Sequence, residues 1–573
     1  MLLHHFLEES AHKFPEKVAL IHRTERWTYQ DIDRKTNQVA NLLRAQGIRR
    51  GDRVAIFLDN SIESVVSLFG ILKADAVFLM LSPMLKPSKL TYILNNCEAK
   101  ALITHTDKNN ITSGTFGSVS SLEFVLFVGN KEKIPKGLST HLSWNEIDFL
   151  NPQPALRNPH SAIRTPHSST QSSVLSPQPA VNPINPIDPS NPTTPHSALN
   201  TQRSTITRHS TLDTRYSNID LDLATIIYTS GSTGNPKGVM LTHLNMISAA
   251  TSITTYLENI PEDIIIDILP LSFDYGLYQV LMAFKFGGTV VLEKSFTYPY
   301  EVIKQMVKER VTGFPGVPTM FAILLQMEDF KRYDLSSLRY ITNTAASLPV
   351  EHIQRLRTIF PQARLYSMYG LTECKRVSYL PPEELDHRPG SVGRGMPNEE
   401  IWVVDEKGNR VGPGVVGELV VRGSNVMRGY WGDPETTERV LKPGPLPGEK
   451  VLYTGDLFKM DEEGFLYFVG RKDDMIKTRG ERVSPKEVEN AIYGLEGVVE
   501  VAVIPVSDDI LGQAIKAFVV QRNGYPMTEK DVLRQCKREL EEFAIPKYIE
   551  FRASLPKTSS GKIDKLALKQ ETA

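Results

Sequence analysis

The chain has 573 residues, of which 41% are hydrophobic and 23% are charged. At roughly 150 residues per domain, this length predicts a globular protein of three or four domains or subdomains. The 65 Lys and Arg residues balance 66 Asp and Glu, so the net charge of −1 gives no overall field that would favour nucleic acid or an anionic membrane. Cys97, Cys374 and Cys536 lie far apart, which excludes a disulfide framework and a zinc knuckle.

The N-terminal residues do not read as a secretory signal. They contain no basic segment, and Glu8 and Glu9 arrive before an apolar core can form. The chain also has no run of about 18 uninterrupted apolar residues. We therefore expect a cytoplasmic protein in a reducing compartment, without integral membrane association and without a nucleic-acid partner.

The first hundred residues alternate between helix and strand patterns. Apolar side chains fall mainly on one helical face over residues 31–46, and a buried strand follows at 54–58. Ser61 is placed to cap the next helix, and residues 76–81 read as another strand. Because the same rhythm returns over residues 221–380, the sequence predicts an α/β fold with parallel sheets covered on both faces.

Residues 151–216 break this pattern by their composition. Eleven of the 50 residues from 151 to 200 are proline, and only Arg157, Arg164 and Asp188 in that stretch are charged. Such a segment cannot bury enough apolar surface to offset the entropy lost on ordering. We predict a disordered, partly polyproline insertion whose histidines lack a fixed scaffold for a metal.

The C-terminal third changes character again. After residue 390, short strands separated by Gly and Pro turns predict a small β-rich subdomain. Beyond Arg471 the pattern is that of a compact α+β tail, so we expect an N-terminal domain of residues 1–471 and a C-terminal domain of residues 472–573. The elements predicted for the tail are helices at 485–493 and 529–540 and strands at 499–505 and 514–521.

A glycine- and hydroxyl-rich stretch runs from Thr229 to Gly238 and reads Thr-Ser-Gly-Ser-Thr-Gly-Asn-Pro-Lys-Gly. Glycines allow the backbone to approach phosphates closely, hydroxyls and amides donate hydrogen bonds, and Lys237 adds positive charge. No Gly-Lys-Ser/Thr opens a following helix, so this is not a Walker motif. The whole decapeptide predicts a phosphate site more readily than a flexible turn.

Further motifs occur in a fixed order on both sides of this stretch. They begin at Trp27 (Trp-Thr-Tyr-Gln), Gly51 (Gly-Asp-Arg-Val), Tyr369 (Tyr-Gly-Leu-Thr-Glu), Gly417 (Gly-Glu-Leu-Val-Val-Arg-Gly), Tyr453 (Tyr-Thr-Gly-Asp), Gly470 (Gly-Arg-Lys-Asp-Asp) and Pro556 (Pro-Lys-Thr-Ser-Ser-Gly-Lys). With them the chain resembles the adenylate-forming, or AMP-binding, superfamily, which includes acyl-CoA synthetases, luciferases and stand-alone amino-acid adenylation enzymes. The resemblance implies a large N-terminal domain of two parallel-rich α/β sheets plus a small β-rich subdomain, followed by a small mobile α+β C-terminal domain.

The resemblance also implies a reaction. A carboxylic acid attacks the α-phosphate of Mg²⁺-ATP to give an acyl adenylate, and the acyl group then passes to the pantetheine thiol of CoA or of a carrier protein. The residues implied for the β- and γ-phosphates are Thr229, Ser230, Gly231, Ser232, Thr233, Gly234 and Lys237. The other implied contacts are Thr372 to the α-phosphate, Glu373 to Mg²⁺, Asp456 and Arg471 to the ribose, and Tyr369 to adenine.

Two further roles follow from the resemblance and concern the C-terminal domain. Lys562 is expected to bridge the carboxylate and the α-phosphate during adenylation. Asp473 matches the hinge about which the C-terminal domain rotates for the second half-reaction. Gly480 matches a glycine whose missing side chain leaves room for pantetheine.

The acyl pocket departs from the pattern of many acyl-CoA synthetases. Phe273 replaces a histidine, and Asp274 coincides with the aspartate that holds the substrate ammonium in amino-acid-activating domains, although a solvent-facing turn aspartate is the other interpretation. Arg376 follows shortly after Glu373, the residue implied for Mg²⁺. The sequence leaves three interpretations for its side chain, which faces a second substrate carboxylate, solvent or a carrier protein. Ala345 belongs to a small-residue turn along adenine and the acyl group.

The sequence leaves the acid and the acceptor open. The leading hypothesis is an ATP-dependent acid–thiol ligase acting on a carboxylic acid that includes amino and β-amino acids as candidates. The alternatives are a fatty-acid or aryl acyl-CoA synthetase, a luciferase-like adenylate oxygenase and a degenerate nucleotide-binding protein. CoA and a separate acyl carrier protein are both candidate acceptors, since the chain has no obvious carrier domain of its own.

Overall fold

A computed structural model describes residues 1–134, 141–149, 218–229, 235–327, 332–344, 346, 348–478, 481–508, 511–522, 524–558 and 561–572. These residues belong to one compact unit, Met1–Pro154 with Asn218–Ala573. The predicted insertion at 151–216 lies outside the described residues. Within them, no helix is long and apolar enough to cross a membrane.

Helices and strands alternate through the first two segments of the chain, as the hydrophobic pattern predicts. The elements of residues 1–149 are α1 (His5–Lys13), β1 (Val18–His22), β2 (Glu25–Thr28), α2 (Tyr29–Ala45), β3 (Arg53–Phe57), α3 (Ile62–Lys73), β4 (Val77–Met80), α4 (Pro87–Asn96), β5 (Ala101–His105), α5 (Asn109–Phe116), β6 (Phe124–Val128) and β7 (His141–Ser143). Those of residues 218–396 are β8 (Leu223–Thr229), β9 (Lys237–Thr242), α6 (His243–Tyr256), β10 (Ile264–Asp267), α7 (Asp274–Phe286), β11 (Thr289–Leu292), α8 (Pro299–Lys308), β12 (Gly313–Gly316), α9 (Pro318–Leu324), β13 (Tyr340–Asn343), α10 (Val350–Ile359), β14 (Arg364–Tyr369), β15 (Ser378–Leu380) and β16 (Arg394–Gly395).

The remaining elements form two further segments that are richer in strands. Residues 399–471 contain β17 (Glu399–Val404), β18 (Gly417–Gly423), β19 (Gly429–Tyr430), α11 (Pro434–Val440), β20 (Leu441–Pro443), β21 (Lys450–Met460) and β22 (Leu466–Arg471). The tail contains β23 (Ile476–Thr478), β24 (Glu481–Val483), α12 (Pro485–Tyr493), β25 (Val498–Asp508), β26 (Gly512–Gln521), α13 (Glu529–Glu539), β27 (Tyr548–Phe551) and α14 (Lys565–Thr572).

Local sequence explains where several helices begin. Ser61 accepts a hydrogen bond from the Ser64 backbone while the Ser64 side chain bonds back, so a capping box starts α3 as the sequence predicts. Thr28 and Asp31 form the same reciprocal pair at the start of α2. Ser484 caps α12 through the backbone amides that follow it, with Pro485 at the first helical position.

Four sheets organise the fold. The two large ones have the strand orders β19-β9-β8-β4-β3-β5-β6-β7 and β16-β15-β14-β13-β12-β10-β11-β1-β2, and their central neighbours pair mostly in parallel. The third sheet is antiparallel, with the order β17-β18-β21-β20 and β22 on β21. The fourth is formed by the tail alone, with the order β24-β23-β26-β25 and β27 on β26. The predicted α/β class, with a β-rich part and an α+β tail, is confirmed.

The two large sheets share one core. Helix α3 packs on the strands of the eight-stranded sheet and α7 on those of the nine-stranded sheet. Phe69 of α3 and Phe284 of α7 stack with their ring centroids 5.2 Å apart. One hydrophobic cluster therefore includes buried residues of both sheets and of the helices that join them, among them Val54 and Val290.

The parallel strands end together at one edge of the nine-stranded sheet. Gly316 at the end of β12 is paired with Asn343 at the end of β13, and Asn343 is paired with Ser367 of β14. Ligands of open α/β sheets bind outside the carboxyl ends of the strands. Six of the predicted site residues end or follow strands of this sheet: Phe273, Asp274, Tyr369, Thr372, Glu373 and Arg376.

Candidate active site

The glycine- and hydroxyl-rich stretch is the loop of an antiparallel hairpin. Thr229 ends β8 and is paired with Lys237, which begins β9. No helix follows the loop directly, which agrees with the absence of a Walker motif. The predicted phosphate-contacting residues Ser230, Gly231, Ser232, Thr233 and Gly234 lie outside the described residues, so only the two ends of the loop are placed.

Lys237 and Glu373 both lie against Tyr430, a residue that the sequence did not predict for the site. The Tyr430 hydroxyl donates a hydrogen bond of 2.7 Å to Oε1 of Glu373. Lys237 Nζ lies 5.6 Å from the centroid of the same tyrosine ring, and it donates to Thr436 Oγ1 at 3.2 Å. Tyr430 reaches this position because β19 pairs with the distant strand β9, with Tyr430 opposite Val239, and no local motif indicates that pairing.

Asp456 contacts the other two residues predicted for the nucleoside, Tyr369 and Arg471. Tyr369, at the end of β14, donates its hydroxyl to Asp456 Oδ2 at 2.6 Å, and Arg471 Nε lies 3.2 Å from Oδ1. Burial raises the pKa of Asp456, and the nearby Arg471 guanidinium opposes that shift. Among the described residues, Oδ1 receives no hydrogen bond although it is buried. A carboxylate oxygen that is ion-paired with Arg471 but receives no hydrogen bond fits a donor such as a ribose hydroxyl.

Lys562 closes a tight turn that packs against the N-terminal part of the chain. Its backbone carbonyl accepts a hydrogen bond from the Thr558 amide at 2.8 Å, and Gly561 takes a φ of +79°, which favours glycine. Thr319, near the start of α9, donates its hydroxyl to the Gly561 carbonyl at 2.9 Å. Lys562 Nζ then lies 5.5 Å from the centroid of the Phe273 ring.

The electrostatic surroundings of Lys562 link it to the other predicted residues. Burial lowers the pKa of Lys562, while the carboxylates of Asp274, Asp456 and Glu373 oppose that shift and Arg471 reinforces it. A lysine that three predicted site carboxylates influence together is placed where the nucleotide and the acid are expected to meet. We call Lys237, Tyr369, Glu373, Asp456 and Arg471 the nucleotide end of the site.

A second group of charged residues lies beyond Phe273, and we call Phe273, Asp274, Lys375 and Arg376 the acid end. Phe273 precedes α7 as its cap residue, and Asp274 is the first residue of the helix. Lys375 Nζ donates to the Asp274 backbone carbonyl at 2.9 Å and lies 3.9 Å from its Oδ2 atom. Burial lowers the pKa of Lys375 to about 7, and Asp274 opposes this shift.

Arg376 is among the largest fully buried side chains of the described residues, at 2% exposure. Its guanidinium carbon lies 5.5 Å from the centroid of the Tyr275 ring. The solvent-facing alternative for Arg376 is therefore wrong, because its side chain is buried, as is that of the neighbouring Lys375. Lys375, which the site prediction did not include, turns out to be the neighbour of Asp274.

The remaining predicted residues are less informative. Thr372 is partly buried in the turn beside Glu373, and Asp473 is exposed just after β22. Ala345 and Gly480 lie outside the described residues. The sequence predictions that the structure brings together are therefore Lys237, Glu373, Tyr369, Asp456, Arg471, Lys562, Phe273, Asp274 and Arg376.

The family described as AMP-binding enzyme matches residues 7–431, and the AMP-binding enzyme C-terminal domain matches residues 487–562. The chain belongs to the AMP-binding enzyme family. It is 30% identical over 578 residues to the long-chain-fatty-acid–CoA ligase of Bacillus subtilis, covering 99% of this chain and 94% of that protein. It is 28% identical to the human mitochondrial medium-chain acyl-CoA ligase ACSF2, covering 99% of this chain and 86% of that protein.

Solved structures agree with this assignment. ATP-bound MatB from Rhodopseudomonas palustris is 26% identical, with a TM-score of 0.80 and coverage of 100% of this chain and 99% of that one. The anthranilate CoA ligase AuaEII, in complex with anthranoyl-AMP, shares the fold with a TM-score of 0.82 at 24% identity, covering 100% and 97% of the two chains. The predicted reaction class, an AMP-forming ligase that uses ATP, is confirmed.

Proposed function

We propose that the chain adenylates a carboxylic acid with ATP and transfers the acyl group to the thiol of CoA. The observation that carries this proposal is the place of Lys562, which lies against Phe273 and within the influence of Asp274, Asp456 and Glu373. A cation there lies between the two reacting anions and offsets the charge that develops as the carboxylate attacks the α-phosphate.

The nucleotide end supplies the groups that bind and orient ATP. Asp456 accepts from the ribose hydroxyls, Arg471 donates to the same region, and the Tyr369 ring stacks on adenine. Lys237 and the loop from Thr229 to Gly234 take the β- and γ-phosphates, and Thr372 takes the α-phosphate.

Glu373 is the residue proposed for Mg²⁺. One of its oxygens accepts from Tyr430, which fixes the carboxylate and leaves the second oxygen for a hard cation. A bound Mg²⁺ supplies charge neutralisation of the phosphate oxygens. Tyr430 serves here as a positioning residue, since its hydroxyl orients the carboxylate without reaching the reacting atoms.

The second half-reaction calls for a different arrangement of the C-terminal domain, residues 472–573. Lys562 belongs to a short turn held by Thr319, so rotation about Asp473 would break one hydrogen bond there and withdraw the lysine. In the rotated form Gly480 leaves room for pantetheine. The relatives named as CoA ligases support CoA as the acceptor, and a carrier protein with the same pantetheine arm is the second candidate.

The acid itself is the least defined partner. The names of the relatives support a fatty acid, and Asp274 supported an amino or β-amino acid on sequence grounds. The contact between Asp274 and Lys375 weakens the amino-acid alternative, because Lys375 already supplies the cation that a substrate ammonium would have to replace. The acid end nevertheless holds two buried cations, which a purely apolar chain does not need.

The experiment is acid-dependent exchange of pyrophosphate into ATP by the full chain, with and without Mg²⁺. We expect exchange that depends on both the acid and Mg²⁺, followed by thioester formation when CoA is added. Absence of exchange with fatty, aryl, dicarboxylic and amino acids alike would refute the proposed function. Thioester formation on a carrier protein but not on CoA would replace CoA as the proposed acceptor and leave the proposed adenylation step intact.

Replacing the adenylation lysine separates the two half-reactions. Lys562→Ala is expected to lower adenylate formation by about 100- to 1,000-fold, because a preorganised charge at the reacting centre is lost. Thioester formation from a supplied acyl adenylate should stay within a few-fold of the unmodified enzyme. Lys557→Ala is the matched control, since that lysine belongs to the same segment but pairs with Glu500 at 2.7 Å. Equal loss in both half-reactions would contradict the domain rotation.

A further inference from the structure

A tight three-residue turn follows Glu373 directly and joins the two ends of the site. The Arg376 amide donates to the Cys374 carbonyl at 2.8 Å, across Lys375, whose φ is +66°. A hydrogen bond from residue i+2 to residue i around a residue of positive φ defines a γ-turn of the rare, strained kind. Because Lys375 carries a Cβ atom, this left-handed backbone is strained in a way that it would not be for glycine.

The γ-turn carries groups that serve opposite ends of the site. Glu373, immediately before the turn, accepts a hydrogen bond from Tyr430 at the nucleotide end. Lys375, at the centre of the turn, donates to the Asp274 carbonyl at the acid end. Since these two residues are only two positions apart, a change in the backbone between them would displace both groups at once.

Asn425 bridges the γ-turn with one side-chain amide. Its Nδ2 atom donates to the carbonyls of Cys374 and Arg376, the first and last residues of the turn, at 2.8 and 3.1 Å. The side chain is 1% exposed, so water does not replace these bonds. On its other side the turn packs against Gly370, where a Cβ atom would lie 2.4 Å from the Lys375 carbonyl oxygen.

The segment that carries Asn425 is itself fixed in place. Asn245, in the first turn of α6, donates to the backbone carbonyls on either side of Asn425, at 2.7 and 2.8 Å. The Met427 amide donates to the Glu373 carbonyl at 2.7 Å. Strained backbone persists only where the surrounding structure over-determines it, and these bonds provide that support.

We propose that Asn425 is a positioning residue that holds the γ-turn at Lys375 and so places Glu373 and Lys375 for the reaction. It acts through backbone carbonyls and does not reach the reacting atoms. Without its two hydrogen bonds, Lys375 relaxes towards a negative φ, and one backbone movement shifts the groups of both ends. This inference rests on the proposed function, in which Glu373 binds Mg²⁺ and the acid lies beyond Phe273.

The main test replaces Asn425 with a residue of similar size that cannot donate. Binding of Mn²⁺, a paramagnetic probe for the Mg²⁺ site, is measured by electron paramagnetic resonance on the full chain with α,β-methylene-ATP. Pyrophosphate exchange gives KM for the acid that supports the fastest exchange by the unmodified enzyme. Asn425→Leu is expected to weaken Mn²⁺ binding by about 10- to 100-fold and to raise KM for the acid by about tenfold.

Two comparisons separate a role in positioning from a general loss of stability. Tyr430→Phe removes the bond to the Glu373 side chain but leaves the γ-turn intact, so Mn²⁺ binding should weaken by about tenfold while KM for the acid changes by less than about threefold. Thr104→Val is the matched control, because Thr104 is buried and its hydroxyl donates to the Phe57 carbonyl at 3.2 Å in the eight-stranded sheet. Both constants should equal those of the unmodified enzyme in this variant.

Two further variants of Asn425 guard against a folding defect. Asn425→Gln keeps an amide donor and is expected to lose less than Asn425→Leu in both constants. Asn425→Ser is too short to bridge two carbonyls, and it replaces Asn425→Leu, with the same expected shifts, if the leucine variant does not fold.

The outcomes distinguish this inference from the proposed function. Unchanged Mn²⁺ binding in Asn425→Leu, a shift in Mn²⁺ binding without one in KM for the acid, or equal losses in Asn425→Leu and Asn425→Gln would overturn the inference and leave acid activation intact. Failure of the unmodified enzyme to support exchange with any fatty, aryl, dicarboxylic or amino acid would overturn acid activation and this inference together.

Discussion

The two ends of the candidate active site hold charged groups in different ways. At the nucleotide end, Asp456 is flanked by Tyr369 and by an exposed Arg471, so that the carboxylate keeps contact with donors that solvent or a ligand can reach. At the acid end, Lys375 and Arg376 are buried; Lys375 donates to Asp274, whereas Nε and Nη1 of Arg376 have no hydrogen-bond partner among the described residues. The donors at the nucleotide end are therefore open to solvent or a ligand, whereas the cations at the acid end are enclosed. This difference suits a site that binds a common nucleotide at one end and selects its acid at the other.

Removing one partner of the buried Lys375–Asp274 pair should have the largest effect on the free energy of unfolding. Lys375→Met leaves the Asp274 carboxylate buried without its cation, and losing one partner of a buried ion pair costs about 3–5 kcal/mol. Lys472→Met is the matched control, because that lysine is 53% exposed and its ammonium lies 3.0 Å from Glu418. Its loss is expected to cost at most about 1 kcal/mol.

Chemical or thermal unfolding of the two variants checks this difference. We expect a clearly lower midpoint for Lys375→Met and little change for Lys472→Met. Equal shifts in the two variants would show that the acid end does not enclose its charges as described.

A change at the nucleotide end should act on binding and leave stability nearly unaffected. Asp456→Asn keeps the shape but weakens acceptance from the ribose hydroxyls, so KM for ATP is expected to rise by about 30- to 100-fold. KM for the acid should change by less than about threefold, since Asp456 lies at the other end of the site. A parallel loss in both constants would break the distinction between the two ends.

The pH dependence of the two ends should differ as well. Burial raises the pKa of Asp456, so on acidification this carboxylate takes up a proton at a higher pH than an exposed aspartate would. Nucleotide affinity resting on the charged form is therefore retained at high pH and falls as the pH drops towards the pKa of Asp456.

Steady-state KM values, measured from pH 8 downwards to the lowest pH at which the enzyme stays folded, test this contrast. We expect KM for ATP to rise on the acid side and the ATP profile to flatten in Asp456→Asn, whereas KM for the acid should follow Lys375, whose pKa of about 7 lets it gain a positive charge as the pH falls. A profile that keeps its slope in Asp456→Asn would assign the titration to another group.

Local sequence was enough to place several elements and half of the site. Ser61 and Ser484 cap helices because their side-chain oxygens accept hydrogen bonds from backbone amides only two or three residues further along the chain. The nucleotide end was equally readable, since Glu373, Tyr369 and Asp456 belong to short motifs whose chemistry is local. Tyr430 was missed because its contact with Glu373 depends on the pairing of two distant strands, β9 and β19.

The sequence alone determined the family and the α/β architecture, because short motifs and hydrophobic periodicity specify them, and the same motifs supplied the residues proposed to bind ATP. Tertiary structure decided the character of the acid end. Lys375 and Asp274 are 101 residues apart in the chain, and whether a charged side chain is exposed, paired or left without a partner depends on what packs around it. Burial and pairing depend on residues that are distant in the chain. Only the folded chain could therefore show that Asp274 contacts Lys375 and that Arg376 is buried with its Nε and Nη1 atoms unpaired among the described residues.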